Sequence, residues 1–245
     1  MTRKIIVIGA SGALGRNVVA DLLSEGAQVA ATYHTRKEPL ETLRNAHEGL
    51  SLAALDLRAP ETIDAAIDAA VKTLGGLDGL VHCAALAITP GQSPPEGSYQ
   101  KMRDIEVEDW DLINQINVRS AFLCGRRASE HMLGGGNIVF LGSIDSVKPV
   151  PSPVHYAASK AALTGLARAM AKELGDRDVR VNVVAPGILE AGISEVVPEY
   201  LITQFSKHSG FGRRGTLKEA SAVVSWFAAH NTYVTGQTIA LDGGL

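Results

Sequence analysis

Tyr156 and Lys160 stand four residues apart in Tyr156-Ala157-Ala158-Ser159-Lys160. On a helix that spacing puts both side chains on one face, one turn apart. A free phenol titrates near pH ~10 and exchanges protons poorly at neutrality. A neighbouring ammonium favours the phenolate and lowers that value. The pair would then serve as a general acid toward a carbonyl or a base toward an alcohol. A lone Tyr-x-x-x-Lys is most often a surface pairing, so its company matters. Ser143 closes the apolar run Val139-Phe140-Leu141-Gly142-Ser143. A hydroxyl at a strand's carboxyl end can hydrogen-bond a substrate oxygen and stabilise developing charge. Asn117, in Ile116-Asn117-Val118, reads either as a satisfied core amide or as the holder of a water that links Lys160 to solvent.

A second constellation is the turn Gly9-Ala10-Ser11-Gly12-Ala13-Leu14-Gly15, between a strand-like run and a helical one. Glycines let backbone amides approach a pyrophosphate, and the following helix offers its positive end. Gly9, Ser11, Gly12, Ala13, Leu14 and Gly15 are therefore candidate dinucleotide contacts. Acids that hold ribose hydroxyls usually end the second strand. Between Ala27 and Lys37 there is none; Tyr33, His34, Thr35 and Arg36 stand there instead. An Arg or His at that edge suits a 2′-phosphate, which points to NADP(H) over NAD(H). The plainer alternative makes Arg36 and Lys37 the solvated start of a helix. Asp56 could accept a hydrogen bond from an adenine amino group, or cap the next segment.

These residues need a scaffold, and strand-like and helix-like segments alternate throughout. Strands are expected at Lys4–Ile8, Gln28–Tyr33, Leu50–Leu55, Leu77–Cys83, Asn137–Leu141, Val179–Val184 and Thr238–Leu241. An alanine-rich amphipathic helix is expected over Glu61–Leu74, and further helices over Trp110–Met132 and His155–Leu174. Short runs such as Ile5-Ile6-Val7-Ile8 suit strands buried on both faces. The alternation predicts an α/β fold, one doubly wound parallel sheet of about seven strands with helices on both faces. No linker splits the chain, so residues 1–245 are expected to form one domain. Two stretches break the rhythm, Ile88–Tyr99 and Pro186–Gly215, both rich in Pro and Gly. Both follow strands at the edge where ligands bind in such sheets, and the second reads as a substrate lid around 187–215.

Composition bounds the rest. Of the 245 residues 46% are hydrophobic and 20% charged, which is globular usage. Lys and Arg number 23 against 26 Asp and Glu, for a net charge of −3. That balance does not suit nucleic acid or an anionic membrane as main partner. No stretch approaches the ~20 apolar residues of a membrane span. Arg3-Lys4 leads straight into strand-like residues, so no signal peptide and a cytoplasmic location are expected. Cys83 and Cys124 sit in apolar runs and read as buried thiols, with no metal site.

Taken together, the Gly9–Gly15 turn, Asp56, Val81-His82-Cys83-Ala84-Ala85, Asn117, Ser143, Tyr156-x-x-x-Lys160, Pro186-Gly187 and the ending Tyr233–Leu245 resemble the short-chain dehydrogenases/reductases over essentially the whole chain. The resemblance implies a Rossmann-type fold and hydride transfer from a nicotinamide. It implies Tyr156 as acid/base, Lys160 on the nicotinamide ribose, Ser143 orienting the substrate and Asn117 supporting a proton relay. Asp56 with Leu57, and Ala84 with Ala85, would line the adenine side; Ile188, after Pro186-Gly187, would meet the carboxamide. Ile8 replaces the usual threonine, and Ala13 stands where the middle glycine usually falls. His82-Cys83-Ala84-Ala85 replaces Asn-Asn-Ala-Gly, and Ala191 replaces a threonine. These departures bear on cofactor affinity and loop geometry, not on the four catalytic side chains.

Within the family the resemblance is strongest to 3-oxoacyl-[acyl-carrier-protein] reductases of fatty acid or polyketide biosynthesis. It implies reduction of a carrier-bound 3-oxoacyl thioester, with Arg177 as a docking residue for the acyl carrier protein and Arg126, Arg127, Arg213 and Arg214 as further candidates. A ketoreductase for a free ketone, sugar or aromatic polyketide is one alternative, and a non-catalytic dinucleotide sensor another. The pocket between Ser143 and Tyr156 offers Ile144, Asp145, Val147, Pro149, Val150, Val154 and His155, the last read as a neutral surface residue. A homotetramer is expected, with a dimer as runner-up.

Overall fold

A computed structural model of the chain describes residues 2–90 and 98–245. Seven parallel strands form one sheet: β1 (Lys4–Ile8), β2 (Gln28–Tyr33), β3 (Leu50–Ala54), β4 (Gly79–His82), β5 (Gly136–Leu141), β6 (Val179–Pro186) and β7 (Thr238–Leu241). Their order is β3-β2-β1-β4-β5-β6-β7. Side chains alternate between faces along each strand, so an unbroken apolar run supplies two cores at once. Ile6 and Ile8 join Leu80, Phe140 and Val183 on one face. Ile5 and Val7 join Val29, Val139 and Val184 on the other.

Helices cover both faces. The first core is closed by α3 (Ile63–Leu74), α5 (Ser120–His131) and α6 (Val154–Glu173) through Ile67, Ala128 and Leu163. The second is closed by α1 (Ala13–Ser24) and α8 (Leu217–Ala229) through Leu22 and Phe227, with Leu40 of α2 (Glu38–Ala46). A buried Asp21 on α1 takes Ser221 Oγ at 2.5 Å and Lys218 Nζ from α8, tying the two helices.

The expected strands and the parallel, two-faced sheet are present. Several boundaries differ. β6 runs two residues past Val184, because Pro186 needs no amide donor there and Gly187 N donates to Leu241 O. The expected helix over Trp110–Met132 is α4 (Val107–Asn114), a π-turn (Gln115–Arg119) and then α5. The Pro186–Gly215 stretch is not structureless: it holds a 3₁₀ turn (Gly192–Val196) and α7 (Glu199–His208), which seats Phe205 in the interior. Of the Ile88–Tyr99 stretch, Gly91, Pro94, Pro95 and Gly97 lie outside the described residues.

The last helix starts at a capping box. Glu219 N donates to Thr216 Oγ1 at 3.1 Å, and Glu219 Oε2 accepts from Thr216 N at 2.8 Å. Thr216→Ala should cost about 1 kcal/mol, seen as a lower urea midpoint with unchanged slope.

Candidate functional site

Between β1 and β4 the strand order reverses, and the carboxyl ends of the flanking strands splay into a crevice. A cavity of about 1360 Å³ opens there. Ser143, Tyr156, Lys160 and every expected cofactor contact from Gly9 to Ile188 line it. Asn117 is the exception, lying fully buried behind it.

The glycine turn is fixed by its surroundings. Gly9 has φ +72°, and a Cβ there would lie 2.7 Å from Ala84 backbone. At Gly15 a Cβ would meet Gly9 O at 2.6 Å, so α1 packs directly on the turn. Gly12, the N-cap of α1, has ordinary φ and only an ordinary 3.4 Å contact with Gly9 O, so its missing side chain opens space toward the cavity. The first turn of α1 carries no acid, which leaves the helix's positive end available to an anion. Ala13 fits because Gly192 passes over it with φ +81°; a Cβ on Gly192 would lie 3.2 Å from Ala13 Cβ.

At the far end of the cavity, His34, Thr35 and Arg36 follow β2 with exposed side chains. Asp56 is not a free acceptor. Its carboxylate takes Arg58 Nε at 3.0 Å and Arg58 Nη2 at 2.8 Å, with His34 Nε2 at 3.5 Å. Arg58, then His34, hold it well below the usual carboxylate range. Arg58 was not singled out from the sequence; the Asp-x-Arg spacing was its only signal.

At the near end, α6 presents Tyr156 and Lys160, only 8% and 2% exposed. Lys160 Nζ donates to Leu141 O at 2.7 Å and lies 5.7 Å from the Tyr156 ring centre. The expectation that Lys160 lowers the phenol's pKa is not met. Burial pushes Tyr156 above its ordinary value, and Asp145 adds to the rise. Lys160 is itself pushed down to about 8 by burial, and one of its three N–H groups donates to the carbonyl. Ser143 Oγ donates to Asp145 Oδ2 at 2.6 Å. Asp145 is raised above a normal carboxyl, chiefly by burial, against the hydrogen bond from Ser143 and the charge of Lys160.

Asn117 is a satisfied amide. Its Oδ1 accepts from Leu86 N at 2.8 Å, and its Nδ2 donates to Leu86 O and Ser159 Oγ, each at 2.9 Å. Both amide protons are spent, so the side chain can offer a water only its remaining oxygen lone pair. It sits in the π-turn, a distortion that often marks functional positions. The departure at His82 has its own partner. Ser120 Oγ donates to Ile116 O at 2.5 Å, so the His82 nitrogen 2.7 Å away, Nε2, must be the donor. Burial drops that imidazole to about 3, leaving it neutral.

Other expected residues fall elsewhere. His155 is not at the surface; it is fully buried beside Tyr156, and among the described residues neither ring nitrogen has a hydrogen-bond partner. Cys124 is buried, but Cys83 lines the cavity, its thiol pushed up to about 12 by burial. Arg177 precedes β6, at the sheet edge opposite the cavity, and donates to Ser129 O at 2.5 Å. Arg126 and Arg127 pair with Asp64 and Asp68, and Arg213 with Glu219. No helix among the described residues is long and apolar enough to cross a membrane.

Comparison with known proteins fits this geometry. A family model described as enoyl-(acyl carrier protein) reductase matches residues 9–245. The chain is 30% identical to a 3-oxoacyl-[acyl-carrier-protein] reductase of Thermotoga maritima, over 98% of this chain and 96% of that protein. Its structure resembles that of a short-chain dehydrogenase/reductase from Serratia marcescens, with a TM-score of 0.88 and 29% identity over 99% of this chain and 97% of that one. An acetoin dehydrogenase from Salmonella typhimurium superposes with a TM-score of 0.82 at 30% identity, over 100% of this chain and 97% of that one.

Two of the turn's three glycines should separate by stability. Gly9→Ala should lose about 1–3 kcal/mol, because it forces a left-handed backbone against Ala84. Gly12→Ala should stay within about 0.5 kcal/mol. Thermal unfolding of both variants checks this.

Proposed function

The chain belongs to the short-chain dehydrogenase/reductase family of oxidoreductases, and from that premise we propose that it reduces a ketone to a secondary alcohol with NADPH. The observation that carries this reading is one cavity lined by the glycine turn at one end and by Ser143, Tyr156 and Lys160 at the other. Members of the family bind a nicotinamide dinucleotide, and the residues present fit one. Gly12 leaves a side-chain-free approach to the positive end of α1, where a pyrophosphate would sit. His34, Thr35 and Arg36 would hold a 2′-phosphate, and the absence of an acid from Ala27 to Lys37 favours NADP(H) over NAD(H). Asp56 and Leu57, and Ala84 and Ala85, would flank the adenosine half. Pro186, Gly187 and Ile188 would meet the nicotinamide, and Lys160 its ribose.

When bound, the reduced nicotinamide would supply a hydride for the carbonyl carbon. Tyr156, a phenol that is protonated at neutral pH, would give that proton to the carbonyl oxygen. Ser143 would hold that oxygen, and Lys160 would stabilise the phenolate left behind. Asn117 would act as a positioning residue, since through Ser159 it is linked to the carbonyl of Tyr156. Residues around 187–215, including α7, would form the lid, with Tyr200 and Leu201 lining the substrate end. The intact Ser143, Tyr156 and Lys160 disfavour a pure dinucleotide sensor.

Two substrate classes stand. A 3-oxoacyl thioester is supported by the likeness to the Thermotoga maritima reductase and by the segment Val181–Gly187. Arg177, as a carrier-protein docking residue, would have to serve a cleft other than its own, since it lies at the opposite sheet edge. A free ketone is supported by Asp145, a carboxylate at the substrate end that an alkyl chain does not need. A homotetramer is proposed from the partly exposed Trp110 and Phe122 on α4 and α5.

Absorbance at 340 nm with NADPH and panels of acetoacetyl thioesters and free ketones tests the reading: binding without turnover of any of them would overturn it. Tyr156→Phe should lower turnover by about 10²–10⁴-fold with NADPH affinity nearly intact. Reductive kcat/KM should hold at neutral pH and fall above about 8, where Lys160 loses its proton. The pH–rate profile shows whether that limb exists.

A further inference from the structure

The turn after β5 places a carboxylate where a ketone oxygen would bind. Asp145 lines the cavity, half-buried, with Oδ2 2.6 Å from Ser143 Oγ. No cation pairs with it among the described residues. Lys160, on α6, donates to Leu141 O, and Lys148, in the same loop, pairs with Asp242 at 2.7 Å. Its other polar neighbours are the Ser152 hydroxyl, its own backbone N–H and the Tyr156 phenol. Two hydroxyls and one amide do not exhaust a carboxylate, which has about four lone-pair sites.

This arrangement has a consequence for catalysis. Ser143 has one proton, and it goes to Asp145. An ionised acceptor holds a hydroxyl more strongly than a neutral carbonyl does. A plain ketone would therefore meet a serine whose proton is turned away. It would also develop alkoxide charge one hydrogen bond from a carboxylate, an unfavourable neighbour in a low-dielectric cavity. A hydroxyl or ammonium on the carbon next to the carbonyl relieves both problems. It donates to a spare lone pair of Asp145, offsets the carboxylate's charge and so weakens its hold on the Ser143 proton, which can then turn to the carbonyl oxygen.

We propose that Asp145 is a specificity-determining residue that selects ketones carrying a hydrogen-bond donor on the carbon adjacent to the carbonyl. This rests on the ketone-reductase reading, deepens its free-ketone branch and makes 3-oxoacyl thioesters poor substrates.

The test is a matched substrate panel with NADPH: 3-hydroxybutan-2-one against butan-2-one, 1-hydroxypropan-2-one and 1-aminopropan-2-one against propanone, and an acetoacetyl thioester. The wild type should favour the donor-bearing member by about 10–100-fold in kcat/KM. The two propanone derivatives tell whether hydroxyl or ammonium is preferred. Asp145→Ala should lower kcat/KM for donor-bearing ketones and raise it for plain ones, bringing the ratio near one. Unchanged NADPH affinity would show that the variant is folded, and a merely structural role would depress both members alike. The proposal is overturned if plain ketones or the thioester match the donor-bearing substrates in the wild type, or if Asp145→Ala leaves the ratio unchanged. Absence of turnover with every ketone and thioester would instead sink the reductase reading, and this proposal with it.

Discussion

A buried ammonium is the constraint around which the rest of the site is arranged. Lys160 is 2% exposed, and among the described residues no carboxylate is bonded to it. An unpaired buried cation is costly, and proteins answer that cost with hydrogen bonds or a shifted pKa. Both answers are present: Nζ donates to Leu141 O at 2.7 Å, and burial pushes the group down to about 8. Leu141 is the last residue of β5, two before Ser143, so this bond fixes α6 against the strand end. Tyr156, one turn earlier on the helix, is thereby held over the serine.

The packing behind α6 serves the same end. The Ser159 hydroxyl donates to Tyr156 O at 2.7 Å and accepts from Asn117, whose amide also clasps both backbone groups of Leu86. One side chain therefore joins α6, the π-turn and the segment after β4. His82 and Ser120 repeat the pattern one layer deeper, bracing the carbonyl of Ile116 beside Asn117. A polar cluster this buried rigidifies its surroundings only when its members are paired, and Asn117, Ser159, His82 and Ser120 each have a partner. The imidazole at 82 thus has a partner of its own, and the departure there disturbs nothing that holds Tyr156.

The sheet was legible because parallel strands covered on both faces must be apolar at every position, and runs such as Ile5–Ile8 leave no other reading. The cavity lining was legible because a glycine turn, a strand-end serine and a Tyr-x-x-x-Lys each have a fixed place on that sheet. What escaped was decided by tertiary contact. α7 was hidden by the prolines and glycines around it, although Pro198 stands where a helix can begin. The commitment of Asp56 to Arg58, and the full burial of His155, depend on neighbours that sequence spacing does not reveal.

The sign of the Tyr156 shift was also out of reach, and it matters most. The helical spacing correctly puts an ammonium beside the phenol, yet proximity alone does not set a pKa. Desolvation raises the pKa of a group that is neutral when protonated, an opposite charge lowers it, and the larger effect wins. Here burial wins, and the Asp145 carboxylate works in the same direction. A phenol holds its proton at neutral pH even at its ordinary value, so the rise opposes the phenolate rather than creating the donor. On the proposed reading, then, the same carboxylate that faces the substrate and bonds Ser143 also acts on the tyrosine, so substrate choice and the proton donor meet in one turn after β5.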